Sequence, residues 1–290
     1  MFLYDLTLYK NMFCVFVLFS FFSYLCTMKR KAMKKGLCFS MLLPMLMLVS
    51  CKSHYEVASV ERTRIVVDNR YDRQPDAQAV AFLAPFKHQV DSVMGPVMGR
   101  SARYMTAQRP EGTLSNLLAD IMVWAGKDYD EQPDFGVYNM GGVRADLPKG
   151  IVTYGDILDV APFENRIAFA TLSGADVLSL FGEMASTGGE GVSHSVRMVI
   201  TQDGKLVSAT INGQTIDPQR DYRLATIDYL LGGTDKMTTF KKCRNIKSPQ
   251  GKEHNSRFII MNYFKDKDAR GEVVDAQIEG RITIAVQTNK

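Results

Sequence analysis

Residues 135–156 read FGVYNMGGVRADLPKGIVTYGD and hold three local signals in a row. The apolar run at residues 135–138 predicts a buried strand. The Gly141-Gly142 pair that follows it lets the backbone turn sharply and approach a ligand closely. Thr153 and Asp156 have the spacing of a capping box, which marks the first turn of a helix. This stretch therefore predicts a strand, a tight loop and a short helix that ends before Pro162.

The flanking sequence mixes helices with antiparallel hairpins. Asp203-Gly204 and Asn212-Gly213 are strong hairpin signals inside a β-rich stretch. Helices are predicted to open at Pro75-Asp76, at Thr113 and after Ser173, with another over residues 258–264. Further strands are predicted over residues 166–172, 222–226 and 281–286. This order predicts an α+β fold, one compact domain over residues 75–290 with a mixed or antiparallel sheet and packed helices.

Composition excludes few protein classes. The chain has 290 residues, of which 46% are hydrophobic and 23% charged, as in ordinary soluble globular proteins. Its formal net charge of +4 comes largely from lysines and arginines near the N-terminus, so it does not argue for nucleic-acid binding.

Residues 1–50 are predicted to be a targeting region. A basic stretch at residues 31–35 precedes an apolar stretch at residues 37–49, as in a signal peptide. Leu48-Val49-Ser50-Cys51 then resembles a bacterial lipobox, in which the Cys51 thiol accepts a lipid. The alternative is an ordinary secretory peptide with an incidental cysteine. We predict a lipidated tether over residues 51–74, with a short strand at residues 63–67, and an exported, membrane-anchored protein on the periplasmic side or cell surface.

The first 27 residues do not fit that scheme. Residues 13–25 are strongly apolar but too short for a comfortable membrane span. We interpret them as lying upstream of the true translation start, at Met28 or Met33. The alternative is a genuine additional anchor. With Cys51 as the first mature residue, Cys243 is left as a free thiol, so a disulfide framework is not expected.

Four side chains around the central stretch suit an anionic, planar ligand. Asn139 can donate and accept hydrogen bonds, and Arg144 offers a planar fork for phosphate or carboxylate. Arg109 precedes a helix N-terminus, where anions are favoured. Phe163 follows a proline and could stack on a base. Each has a plainer interpretation, since an arginine in such a loop is usually solvated and Phe163 could be a core residue.

The motifs together resemble the C-terminal domain of the 5′-nucleotidase family. The resemblance rests on residues 139–156, on Ala161-Pro-Phe-Glu-Asn165, and on Leu172-Ser-Gly-Ala175. Residues 109–120 resemble the domain's first block, and residues 224–235 resemble its last. The similarity runs from about residue 75 to the end of the chain.

This resemblance implies an α+β domain that binds nucleotide or nucleoside ligands. It assigns substrate binding to Asn139, Gly141, Gly142 and Arg144, base stacking to Phe163, and a less secure substrate contact to Arg109. The family holds the base between two aromatic rings, and Met237 stands where the second ring is expected. Phe240 could replace it if the loop takes another course.

The resemblance also implies that catalysis occurs elsewhere. The family's hydrolytic site is a separate metallophosphatase domain with two metal ions, and this chain has only four histidines, none in a matching motif. We therefore expect no catalytic residue, metal ligand or cofactor in this chain, and divalent metals in a separate partner. Two functions remain open. One is the nucleotide-binding half of a split 5′-nucleotidase, and the other is a non-catalytic surface lipoprotein that binds nucleosides or nucleotides.

Overall fold

The computed structural model describes residue 57, residues 59–66, 68, 70 and 73, and residues 75–285. It divides into two compact units, residues 1–71 and residues 72–290. In the first unit, residues 59–66 have neither helix nor strand and are exposed, so the strand predicted at residues 63–67 is wrong for residues 63–66. Val67, the predicted signal region and the lipidation residue Cys51 lie outside the described residues.

Helix α1 (Ala77–Met94) opens the second unit where the sequence predicted a helix. The Asp76 carboxylate caps it by accepting hydrogen bonds from two backbone N–H groups, at 2.8 and 3.0 Å. Every residue of α1 is at least partly exposed, including an apolar stripe at helical spacing that contains Phe82, Leu83, Phe86, Val90 and Val93. Within the described residues, no helix is both long and apolar enough to cross a membrane.

The remaining elements follow in chain order. The helices are α2 (Thr113–Ala125), α3 (Tyr154–Val160), α4 (Gly174–Ser186), α5 (Asp228–Leu231) and α6 (Ser256–Ala269). The strands are β1 (Val97–Ser101), β2 (Phe135–Tyr138), β3 (Gly150–Thr153), β4 (Ile167–Ser173), β5 (Gly191–Val192), β6 (Val196–Ile200), β7 (Leu206–Ile211), β8 (Gln214–Thr215), β9 (Asp221–Ile227), β10 (Arg244–Lys247) and β11 (Ile282–Ile284). The predicted capping box of α3 is present, with Thr153 and Asp156 each bonding the other's backbone N–H.

A five-stranded sheet forms the centre of this unit, in the order β10-β4-β9-β2-β5. Strands β2 and β9 are parallel, whereas the other neighbouring pairs are antiparallel. Strands β2, β4 and β9 are buried along most of their length, which requires cover on both faces of the sheet. The mixed sheet with packed helices confirms the predicted α+β fold.

Helices α2 and α4 provide that cover from opposite sides. Successive strand residues point to opposite faces. Phe135 of β2 meets the ring of Phe181 in α4, with centroids 5.6 Å apart. At the next residue, Gly136, a Cβ would lie 2.5 Å from the carbonyl oxygen of Ala119 in α2. Glycine at this position therefore lets α2 lie directly against the sheet.

A second sheet has the order β11-β6-β7-β8 and contains the predicted hairpins. The turn between β7 and β8 places Asn212 at φ 52° and Gly213 at φ 72°, as a tight hairpin turn requires. Strand β11 pairs in parallel with β6. The closing strand predicted over residues 281–286 is confirmed at Ile282–Ile284, and residue 286 lies outside the described part.

Candidate functional site

Three chain segments converge at one edge of the central sheet. Because β2 and β9 are adjacent and parallel, the residues that follow Tyr138 and Ile227 emerge side by side. Strand β4 runs antiparallel to β9, with Ile167 opposite Ile227, so the residues before Ile167 reach the same edge. The loop after β2, the segment after β9 and the loop before β4 therefore share this edge.

These segments enclose a cavity of about 420 Å³. Its walls come from the loop after β2, the loop before β4 and the segment after β9; the lining residues are Asn139, Gly141, Gly142, Arg144, Phe163, Asn165, Tyr229 and Asp235. The volume lies within the range of small-molecule sites. Five of the seven residues predicted to bind ligand thus lie together here, and their role toward a ligand stays a prediction. The other two, Arg109 and Met237, are absent from this lining.

A chain of hydrogen bonds crosses the cavity wall. The Asp235 carboxylate accepts from Asn139 Nδ2 at 2.5 Å and from the Tyr229 hydroxyl at 3.2 Å. Asn139 is 1% exposed, so its amide is held in place. Among the described residues, Asn139 Oδ1 is buried without a hydrogen-bond partner. A buried acceptor of this kind is costly unless something satisfies it.

Gly142 is required by the close approach of that amide. A Cβ at position 142 would lie 2.7 Å from Asn139 Oδ1. A Cβ at Gly141 would lie 3.2 Å from a carboxylate oxygen of Asp235. The glycine pair therefore lets the turn Met140–Gly142 pack directly on Asn139 and Asp235, and its close approach to a ligand stays a prediction.

Arg144 and Phe163 form a cation–π pair at the cavity. The guanidinium carbon of Arg144 lies 5.2 Å from the ring centroid of Phe163, within the attractive range. Phe163 is 42% exposed, so it is not the core residue that the plainer interpretation suggested. The backbone N–H of Arg144 donates to the carbonyl of Val160 at 3.0 Å, which ties the loop after β2 to the last residue of α3.

Arg257 of α6 holds the backbone of the loop before β4, which carries Phe163. It is 8% exposed, and its guanidinium donates to the carbonyl oxygens of Ala161, Pro162 and Phe163 at 3.0, 2.7 and 3.3 Å. Three consecutive carbonyls bound to one buried cation fix the backbone that carries the ring. Sequence reasoning missed this residue, because nothing near Arg257 in the chain points to a loop some ninety positions earlier.

The structure places Arg109 away from the cavity lining. Its guanidinium pairs with Glu190, and its Nε donates to the carbonyl of Gly189 at 2.8 Å. The buried carboxylate of Glu190 thus holds the cation in this structure, and the substrate contact of Arg109 stays a prediction. Glu190 in turn accepts the backbone N–H of Met140 at 2.6 Å, which links Arg109 indirectly to the cavity turn.

Met237 also lies elsewhere, and its predicted position is corrected. Its side chain is 0% exposed and belongs to the hydrophobic core, as does that of Phe240 at 1%. Residues 235 and 236 take left-handed backbone angles, with φ 52° and 65°, and this turn carries the chain inward before Met237. The second ring on the cavity is instead Tyr229, which is 42% exposed.

Tyr229, Asp235 and Asn165 are cavity residues to which the sequence analysis gave no role. All three lie inside the quoted motifs, so the signal was present, but the pattern did not show which way their side chains point. The described residues contain no group of three or more His, Cys, Asp or Glu side chains placed to hold a metal ion.

Comparison with known proteins identifies the segment that carries this site. The family model for the 5′-nucleotidase C-terminal domain matches residues 92–242. Protein UshA of Yersinia enterocolitica is 31% identical over 195 residues, covering 64% of this chain and 34% of that protein. Cell wall protein Lmo0130 of Listeria monocytogenes is 25% identical over 232 residues, covering 71% of this chain and 29% of that protein.

A solved structure shares the fold. The 5′-nucleotidase precursor of Thermus thermophilus superposes with a TM-score of 0.59 at 23% identity, covering 71% of this chain and 42% of the other. The chain spans about a third of the length of the curated relatives it matches, at 34% and 29% of the two named above.

Proposed function

Because this chain belongs to the 5′-nucleotidase C-terminal domain family, we propose that it is the nucleotide-binding half of a split, exported 5′-nucleotidase. A separate metallophosphatase chain would hydrolyse the phosphate ester. The observation that carries the proposal is one cavity lined by two exposed rings, one guanidinium and a set of fixed amide and carboxylate groups. Such a cavity suits a ligand with a flat base, a hydroxyl-bearing sugar and an anionic group.

Each lining group has a role in this proposal. Phe163 and Tyr229 offer ring faces to the base, and base–aromatic stacking contributes about 1–3 kcal/mol per base. Asp235 accepts hydrogen bonds and suits sugar hydroxyls, while Arg144 suits a phosphate. Asn139 and Arg257 keep the two loops in place. These residues bind and orient, and positioning of this kind can supply a large part of a rate enhancement.

The metal ions of the reaction belong to the partner in this proposal. Its support is chemical, since the described residues lack a set of carboxylates and imidazoles that could hold a metal. A metallophosphatase chain would bring the metal-activated water to the 5′-phosphate. No step of that chemistry is assigned to residues of this chain.

We propose that the partner contacts the apolar stripe of α1. Residues 77–91 of this helix lie before the family-matched segment, and Phe82, Phe86 and Val90 are 71%, 57% and 55% exposed. Exposed apolar patches of this kind mark interaction surfaces. A double variant Phe82→Ser, Phe86→Ser should weaken partner binding, whereas Val207→Ser, at a strand residue 57% exposed, should not. Equal binding by all three proteins would remove α1 from the interface.

Lipid anchoring at Cys51 is part of the same proposal. Its support is the Leu-x-Ser-Cys sequence after an apolar stretch, together with a relative named a cell wall protein. A Cys51→Ser variant should move from the membrane fraction to the soluble exported fraction and should lose incorporation of a labelled fatty acid. Unchanged fatty-acid labelling would exclude Cys51 as the acceptor.

Phosphate release tests the split-enzyme proposal. The purified chain is assayed with AMP and Mn²⁺ or Mg²⁺, alone and with a metallophosphatase encoded beside it. We expect no release alone and a clear stimulation of the partner. Hydrolysis by the chain alone would overturn the absence of catalysis here. Binding of AMP without any effect on the partner would favour the second function, a non-catalytic nucleoside- or nucleotide-binding lipoprotein.

Equilibrium binding of AMP tests the residue roles. Phe163→Ala should weaken binding about 5- to 150-fold, the equivalent of one lost stacking contact of about 1–3 kcal/mol. Arg144→Ala should weaken AMP binding more than adenosine binding. Tyr104→Ala serves as the matched control, because Tyr104 is an aromatic residue 59% exposed and outside the cavity lining. Parental affinity in both Phe163→Ala and Arg144→Ala would exclude this cavity as the nucleotide site.

A further inference from the structure

Glu190 is a buried carboxylate behind the cavity, in the loop between α4 and β5. Its side chain is 1% exposed. One oxygen pairs with the Arg109 guanidinium and also accepts from Thr187 Oγ1 at 3.3 Å. The other oxygen accepts the backbone N–H of Met140 at 2.6 Å. A single side chain thus joins the segment before α2, the loop after α4 and the turn that follows β2.

The Met140 contact fixes the cavity turn. Met140 is the first residue of the turn Met140–Gly142, and the side chain of Asn139 does not cap its N–H groups. Glu190 supplies that acceptor from another part of the chain. Because Gly141 and Gly142 pack on Asp235 and Asn139, a displaced turn would also displace these two cavity side chains.

The Arg109 contact sets the charge that a ligand meets. Among the eight lining residues, Arg144 carries the one positive charge and Asp235 the one negative charge. Arg109 would add a second cation, but its guanidinium is held by Glu190 and by the carbonyl of Gly189. The cavity is therefore balanced in charge and has no excess attraction for a dianionic phosphate.

We propose that Glu190 is a positioning and specificity-determining residue of this site, which fixes the cavity turn and withholds Arg109 from the ligand. The affinity of the site then comes mainly from the base and the sugar, and a 5′-phosphate adds little to it because the charges of Arg144 and Asp235 offset each other. This inference rests on the proposed nucleotide-binding function. It names a residue outside the motifs that carry the family resemblance.

Glu190→Gln separates the two contacts. The glutamine keeps an acceptor for the Met140 N–H but releases the charge of Arg109. We expect the parent to bind AMP and adenosine with dissociation constants within about threefold of each other, a difference of about 0.7 kcal/mol. In Glu190→Gln, AMP binding should tighten at least about threefold while adenosine binding stays unchanged. The added substitution Arg109→Gln should abolish this gain.

Glu190→Ala tests whether Glu190 positions the cavity turn. Glu272→Gln is the control, because it also removes one paired carboxylate, that of Glu272 with Lys267, but on the surface. Glu190→Ala should weaken adenosine binding by about tenfold, the equivalent of one charge-assisted hydrogen bond. It should weaken AMP binding by less, about threefold, because the variant also frees Arg109. Glu272→Gln should bind both ligands like the parent. If the parent binds AMP more than tenfold tighter than adenosine and Arg109→Gln removes that difference, Arg109 is a phosphate ligand and the proposal is wrong.

Hydrogen exchange, measured without any ligand, tests the role of Glu190 independently of the proposed nucleotide-binding function. If the parent binds neither AMP nor adenosine, the nucleotide-binding proposal fails. Hydrogen exchange at the Met140 amide then still tests Glu190. The amide should exchange at least tenfold faster in Glu190→Ala and at the parental rate in Glu272→Gln. Unchanged exchange in Glu190→Ala would overturn the positioning role.

Discussion

Arg281 holds the C-terminal strand to the body of the domain, and its removal is the clearest test of the fold. The residue is 1% exposed although it carries a full charge. Its guanidinium donates two hydrogen bonds to the Asp120 carboxylate, at 2.9 and 2.7 Å, and one to Glu279 at 3.0 Å. It also donates to the backbone carbonyls of Val192 and Asn116. One side chain thereby connects β11, α2 and β5.

The expected cost of Arg281→Met follows from these contacts. Removing one partner of a buried ion pair costs about 3–5 kcal/mol, because the remaining charge is left uncompensated. Asp120 and Glu279 keep side-chain exposures of 33% and 31%, so water can reach the abandoned carboxylates. We therefore expect the lower end, about 3 kcal/mol. For a domain of this size, that lowers the melting temperature by about 6–12 °C.

Thermal unfolding followed by circular dichroism measures this effect. Arg103→Met is the matched control, since Arg103 also binds a carboxylate, Asp275, with two hydrogen bonds but is 43% exposed. Exposed ion pairs contribute little to stability, so the control should melt near the parent. Equal losses in the two variants, or a loss below about 2 °C for Arg281→Met, would refute the reasoning from burial.

Three further predictions follow from single contacts. Hydrogen bonds from Arg223 hold the pKa of Glu131 below its ordinary value of 4.5. The ionised carboxylate therefore stabilises the folded protein at any pH above its unfolded pKa. This stabilisation is lost as the pH falls through the folded pKa. In urea unfolding, the stability gap between the parent and Glu131→Gln should shrink from about pH 5 to about pH 3, and a constant gap would contradict it. Burial raises the pKa of the Cys243 thiol to about 12, so iodoacetamide near pH 8 should label it slowly in the folded protein and quickly in urea. Rapid labelling of the folded protein would contradict that burial. Gly142→Ala should weaken AMP binding by displacing Asn139, whereas Gly182→Ala, which has open space around it, should bind like the parent; equal binding by both would contradict the packing argument.

Local sequence signals predicted most helices and hairpins, because their causes lie within a few residues. The Thr153 capping box, the Asp76 N-cap and the Asn212-Gly213 turn each depend on neighbouring backbone groups alone. The tested elements therefore begin and end close to their predicted positions. The failure at residues 63–66 has the opposite cause. A β-like sequence becomes a strand only with a partner, and the exposed side chains there show no packing against one.

The part of the cavity that the sequence predicted also depends on residues close together in the chain. Asn139, the glycine pair and Arg144 belong to one loop, so their proximity follows from the sequence. The placement of Met237 depended instead on the path of the chain after Gly232. Consecutive left-handed residues at Asp235 and Lys236 turn that path inward, and Met237 becomes part of the core. Side-chain identity alone did not encode this turn, since neither residue is a glycine.

The order of strands in the central sheet explains how distant motifs make one site. Residues 139–144 and residues 228–235 are separated by more than eighty positions, yet β2 and β9 lie side by side and parallel. Adjacent parallel strands end at the same edge of a sheet, and ligand sites in such sheets form where the chain leaves that edge. Strand β4 is antiparallel to β9, so its preceding loop carries Phe163 to the same place. A slip of one residue in the β4–β9 register would turn the apolar side chains of β4 to the other face of the sheet and would shift the loop that carries Phe163. The buried, matched faces of these two strands therefore define the cavity as firmly as the loop residues that line it.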